Sequence, residues 1–220
     1  MNIKKQEKMH RLSEQRRLDT QKGMSKVYKQ VGDFHGGIYD EWKLVSPWSK
    51  SANNLDSQIM VVAQDWTSEE ATKKPLKHFE LGHDPDLPTN KNLKMLLTEN
   101  FGVSFSEIYA TNLFVFVKPG NLSSKIPIGD LIYSAKKYTL EEIKIVQPKV
   151  VICLGSATFH SLCKAIDVKP PSFQFSSENP INYDGCLIFG VPHTGGLGTM
   201  NAGGMANVRK IWRKMIEHLK

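Results

Sequence analysis

The sequence has 220 residues, 40% of them hydrophobic and 23% charged. It is long enough to bury a full core as one domain, and its composition excludes collagen-like and disordered classes. The net charge is +7, and +6 of it falls in residues 1–30, which hold nine Lys/Arg and three acids. That basic segment reads either as a solvated helical tail or as an arm for polyanions. No run is long and apolar enough to span a bilayer and no secretory signal pattern is read, so a cytoplasmic, intracellular protein with no membrane partner is expected.

The three cysteines, Cys153, Cys163 and Cys186, are odd in number and lack metal-ligand spacing. They point to a reducing compartment and buried thiols. No metal and no cofactor is expected, because a four-thiolate zinc or iron–sulfur site needs a fourth cysteine.

In chain order, residues 1–30 predict a basic, weakly amphipathic helical arm, and residues 31–220 a single domain. Glycines, Pro47 and Asn53-Asn54 make 31–58 irregular connecting chain. Residues 59–63 are the first buried strand. A loop rich in Pro, Lys, Asp and His covers 64–90, and its length suits function. A helix over 90–99 is capped by Thr89 and ends before Gly102. A second strand covers 108–111, closed by Asn112, and a loop follows from 114 to 125. A helix over 130–146 stops at Pro148.

A third strand spans 150–154, and a helix over 157–166 is capped by Ser156. The fourth strand is 186–191. A glycine-rich loop, 192–204, leads to a basic helix over 205–219. The best strands are continuous apolar runs. The expected fold is therefore α/β, with a mainly parallel four-stranded sheet and helices on both faces.

Three polar side chains stand at strand ends, where ligands of such sheets gather. A carboxylate at Asp65, beside Gln64, suits orienting a water or opposing a developing positive charge; its structural alternative is a turn cap. The Asn112 amide carries donors and an acceptor suited to a base edge; alternatively it satisfies backbone at the strand end. His193 suits donation to an oxygen that gains negative charge. The backbone N–H groups of Gly195 and Gly196 allow close approach of a phosphate. Arg209, Lys210, Arg213 and Lys214 offer phosphate contacts or form the solvated face of the last helix.

Gln64-Asp65 after strand one, Thr111-Asn112 at strand two, the stretch Pro148 to Ala157, and Pro192-His193 after strand four together resemble the uracil-DNA glycosylase superfamily over residues 58–215. The resemblance implies that superfamily's fold. It also implies hydrolysis of the N-glycosidic bond of uracil or a related deaminated base flipped out of DNA. By the same resemblance, Asp65 and His193 are catalytic, and Gln64, Trp66, Phe79 and Asn112 bind the base. Leu197 is the wedge in the DNA stack, and Gly195, Gly196, Arg209 and Arg213 contact DNA. DNA is the implied partner of a monomer.

The chain departs from the best-known branch at Trp66-Thr67, where that branch has a Pro-Tyr pair whose ring blocks thymine. It lacks the four cysteines of the iron–sulfur branches. Two other readings stand beside this one: a binding module of the same fold without catalysis, and an α/β enzyme acting on free nucleotides or nucleosides.

Overall fold

The computed structural model describes residues 3–75, 77 and 79–218. Its centre is a five-stranded sheet in the order β2-β1-β3-β5-β4. The strands are β1 (Ile59–Asp65), β2 (Tyr109–Phe114), β3 (Val150–Leu154), β4 (Ile181–Tyr183) and β5 (Cys186–Val191). Four of them are parallel, and β4 pairs antiparallel with β5 at one edge. The expected four-stranded sheet is corrected by this extra hairpin strand.

The interior strands are apolar on both faces because helices cover both. Met60 and Val62 of β1, with Val151 and Cys153 of β3, face a core completed by α1 (Ile3–Arg17), α4 (Ile128–Ser134), α5 (Leu140–Val146) and α6 (Ser156–Ala165). Val61 and Ala63, with Ile152 and Leu154, face α3 (Pro88–Phe101) and α8 (Met205–Glu217) through Leu93, Leu97, Val208 and Trp212. The alternation follows the two-residue period of a strand.

Several boundaries differ from expectation. β1 runs on to Asp65, and β2 runs from Tyr109 to Phe114, so Asp65 and Asn112 lie within strands rather than after them. α3 opens at Pro88 with Leu87 before it, and Thr89 is inside the helix. Its end is as expected: Gly102 takes a left-handed conformation (φ 68°), and its N–H closes on Thr98. Gly155, not Ser156, precedes α6. The helix expected over 130–146 is α4 and α5 joined by a π-helical turn, Ala135–Thr139. The glycine-rich stretch holds a short helix, α7 (Gly196–Asn201).

The basic segment is not a detached arm. Met9 and Leu12 are buried in the main core, and Arg16, 1% exposed, pairs with Asp40 at 2.8 Å. Asp19 accepts hydrogen bonds from Lys137, Tyr133 and Tyr138, all on or beside the π-helical turn. Lys5 donates to the carbonyls of Leu55 and Val146, just before β1 and β3. The first turns of α1 therefore sit at the amino ends of the strands, opposite the edge that carries Asp65. All three cysteines are free and buried, and burial pushes the Cys186 thiol up to about 11. Among the described residues no helix is long and apolar enough to cross a membrane.

Candidate functional site

The carboxyl ends of β1, β2 and β5 meet at one cavity of about 230 Å³. Asp65, Asn112 and His193 all line it, together with Gln64, Trp66, Phe79, Trp48 and His83. Three side chains that are 47 and 81 residues apart in sequence are thus brought to one place by the parallel sheet.

Asp65 ends β1. Its Oδ1 accepts from Gln64 Nε2 at 2.9 Å, and its Oδ2 lies 2.9 Å from the ammonium of Lys118. Lys118 is 2% exposed and also donates to the Leu122 carbonyl at 2.6 Å. The chain leaving β2 runs beside the chain leaving β1. Ser68 bridges in parallel to Lys118, and the Glu69 N–H donates to the Lys118 carbonyl at 2.9 Å. That pairing delivers the lysine to the carboxylate. The sequence reading missed Lys118, because nothing in Phe116-Val-Lys-Pro marks a lysine as buried.

Asn112 is 2% exposed, in register with Ala63 of β1. Ser46 orients it. The Ser46 hydroxyl oxygen accepts from the Trp48 N–H at 3.2 Å, which leaves its proton for Asn112 Oδ1 at 2.6 Å. The amide oxygen is thereby distinguished from the nitrogen. Among the described residues Nδ2 has no hydrogen-bond partner, so both its protons are open to a ligand in the cavity.

His193 follows β5. Its Nδ1 accepts the Gly195 N–H at 3.0 Å, so in the neutral ring the proton sits on Nε2. Burial pushes its pKa below the usual value; Asp65 opposes this, and Lys118 adds to it. The histidine therefore presents a neutral N–H donor. Gly198 holds α7 against it, since a Cβ there would fall 2.1 Å from the His193 carbonyl oxygen. The same geometry corrects one expectation: the Gly195 N–H is spent on His193 and is not open to phosphate. Gly196 begins α7.

The aromatic wall is rigid. Trp66 donates from Nε1 to the Gly82 carbonyl at 2.8 Å and meets Tyr39 and Phe79 edge-on. Phe79 is 7% exposed. His83 is buried beside Phe105, and its Nδ1 lies 3.1 Å from the Leu81 carbonyl.

The helix arginines divide. Arg209 pairs with Glu99 of α3 through two hydrogen bonds, at 2.8 and 2.9 Å. Arg213 is exposed and has no ion pair among the described residues. Lys214 pairs with Glu178 at 2.6 Å. Leu197 projects from α7 at 68% exposure, with Met200 one turn on at 65%. A second cavity, about 610 Å³, lies on the other side of His193, with Lys210, Lys214, Asn201 and Asn207 in its wall. Among the described residues no group of three or more His, Cys, Asp or Glu is arranged to hold a metal ion.

No protein-family model and no curated protein matches the chain. The roles of these residues therefore rest on their geometry.

Proposed function

We propose that the protein is a DNA glycosylase that hydrolyses the N-glycosidic bond of uracil or a related deaminated base flipped out of DNA. The observation that carries this reading is the meeting of Asp65, Asn112 and His193 at one small cavity. A cavity of this size is below the ~300–1,000 Å³ of pockets for drug-sized ligands, which suits one ring rather than a whole nucleotide.

In this reaction the C1′–N1 bond of a pyrimidine breaks with positive charge growing on the sugar and negative charge on the base. Asp65 faces the sugar, opposes its positive charge and takes a proton from the attacking water, whose oxygen bonds to C1′. His193 donates its Nε2 proton as a hydrogen bond to O2, where the departing electron pair collects. Asn112 donates from Nδ2 to O4. The products are an abasic deoxyribose and the base anion, which takes a proton from solvent as Asp65 returns its own to solvent. Lys118 and Gln64 fix the Asp65 carboxylate between them.

Because His193 acts neutral, excision is insensitive to pH from 8 down to the usual histidine range and falls only below it. Leu197, with Met200, fills the gap left by the flipped nucleotide, and Arg213 and Lys210 meet phosphates.

A panel of oligonucleotides containing uracil, hypoxanthine, xanthine or a G·T mismatch, scored for abasic sites, tests the proposal. Strand breakage at uracil after alkali supports it. Retention of the oligonucleotide without any abasic site would make the protein a binding module. Hydrolysis of a nucleoside without reaction of DNA would make it a nucleoside enzyme.

A further inference from the structure

The second cavity, on the far side of His193, has no part in the reaction above beyond Lys210 at its rim. At about 610 Å³ it falls in the ~300–1,000 Å³ range of pockets for drug-sized ligands, and a nucleotide is of that size. Its wall holds a side chain with nothing to do. Ser177 is 2% exposed, yet its hydroxyl has no hydrogen-bond partner among the described residues. Its Oγ is not one of the sealed-off polar atoms, so the little surface the residue keeps includes that oxygen, and the cavity is what it meets. A buried hydroxyl is normally paired, and this one is left for a ligand.

Further donors converge on the same space. α6 begins at Ser156 with no side chain capping it, and the N–H groups of Ser156 and Ala157 find no acceptor among the described residues. Gly155 leads the chain into that helix at φ 90°, in the region that favours glycine. Gly155 and Ser156 both line the cavity, so the open helix end faces it. Lys210 stands in the same wall, exposed and without an ion pair among the described residues. An uncapped helix start beside an ammonium suits an anion. Glu178, the only carboxylate of the wall, is neutralised by Lys214 at 2.6 Å and does not repel one. The wall also has an aromatic face. Phe173 is half-buried there, its ring held at right angles to His160 with centroids 6.0 Å apart.

We infer that the second cavity is a binding site for a whole nucleotide. The phosphate lies at the start of α6 beside Lys210, the base packs on Phe173, and the Ser177 hydroxyl bonds to a polar edge of the sugar or base. The chemistry recognised is that of a nucleoside monophosphate, either free or as one unit of a bound strand. His193 lines both cavities, so an occupant here stands against the imidazole that the reaction uses. Such a site needs neither uracil nor bond cleavage, and it stands apart from the glycosylase reading.

Deoxyadenosine monophosphate, deoxyadenosine, inorganic phosphate and a short deoxyadenosine strand are the probes, titrated into the full chain. None contains uracil, so excision plays no part. The monophosphate is expected to bind at least about tenfold more tightly than the nucleoside or phosphate alone, because it fills both halves of the site. Its binding is expected to move the amide resonances of Ser156, Ala157 and Ser177. Phe173→Ala is expected to weaken it about tenfold, the scale of a lost base–aromatic stack, and Ser177→Ala about fivefold. Ser177→Ala removes only an unpaired hydroxyl and keeps the wild-type thermal unfolding curve, so the test stands even if Phe173→Ala does not fold. A strand that binds more tightly than the monophosphate, with the same losses in the variants, assigns the cavity to a nucleotide of bound DNA. A monophosphate that binds as tightly as the strand assigns it to a free nucleotide. No binding of either at millimolar concentration, phosphate binding as tight as the monophosphate, unmoved amide resonances, or affinities unchanged by Ser177→Ala would overturn the inference.

Discussion

Glu142 of α5 is wholly buried, and replacing it with glutamine should reverse a pH-dependent weakness of the fold. Its Oε1 accepts from Tyr109 at 2.6 Å and Thr111 at 2.8 Å, while Oε2 is buried with no partner. Burial pushes its pKa from the ordinary 4.5 up to about 7, and the two hydroxyls pull the other way without winning. In the folded state the carboxyl holds its proton more tightly than in the unfolded chain. Its stability is therefore complete below pH 4.5 and is lost as pH rises through about 7. At 1.36 kcal/mol per pH unit, that loss is about 3 kcal/mol by pH 8.5. In a chain of this size it corresponds to roughly 6–12 °C of melting temperature.

Glutamine has the shape of the protonated acid and never ionises. Glu142→Gln should match wild type within about 1 kcal/mol at pH 5 and exceed it by about 3 kcal/mol at pH 8.5. Urea unfolding of both proteins at the two pH values measures this. The comparison cancels His83 and His193, which titrate in both. Parallel stability profiles for the two proteins would refute the buried-acid account.

Two further outcomes concern the site. Lys118→Met leaves the Asp65 carboxylate, 12% exposed, without its cation. The fold should lose about 3 kcal/mol in urea unfolding, and excision should fall with it; unchanged stability would show that the ion pair contributes nothing. Leu197→Ala combined with Met200→Ala should slow excision from duplex DNA by about tenfold and leave single strands nearly unaffected, since only a duplex must be held open. Equal losses on both substrates would remove α7 from the wedge role.

The sheet and the three strand-end side chains are legible because continuous apolar runs mark buried parallel strands, and such strands bring their carboxyl ends together. β4 escapes that logic: three residues, Ile181–Tyr183, with Asn182 exposed between two half-buried side chains, give no run to read. Its signal is the turn. Asp184-Gly185, with φ of 49° and 82°, is the dipeptide a two-residue hairpin favours.

Long-range pairs leave no local trace. Arg209 and Glu99 are 110 residues apart, so a phosphate-facing arginine and a helix-clasping one look alike in sequence. Lys118 is hidden for the same reason, since its partner Asp65 lies on another strand. The N-terminal helix is misjudged because its charges are conspicuous, whereas its docking face is Met9, Leu12, Ser13 and the buried Arg16. Charge counting sees the solvent side alone.

The account turns on Asp65, and one measurement reaches it most directly: the single-turnover rate of abasic-site formation in a uracil-containing oligonucleotide, wild type against Asp65→Asn. The substitution keeps the side-chain shape and removes the carboxylate. Wild type should convert the substrate, and the variant should bind it as tightly while reacting about 10²–10⁴-fold more slowly. Equal rates in the two proteins, or no abasic site from wild type, would contradict the account.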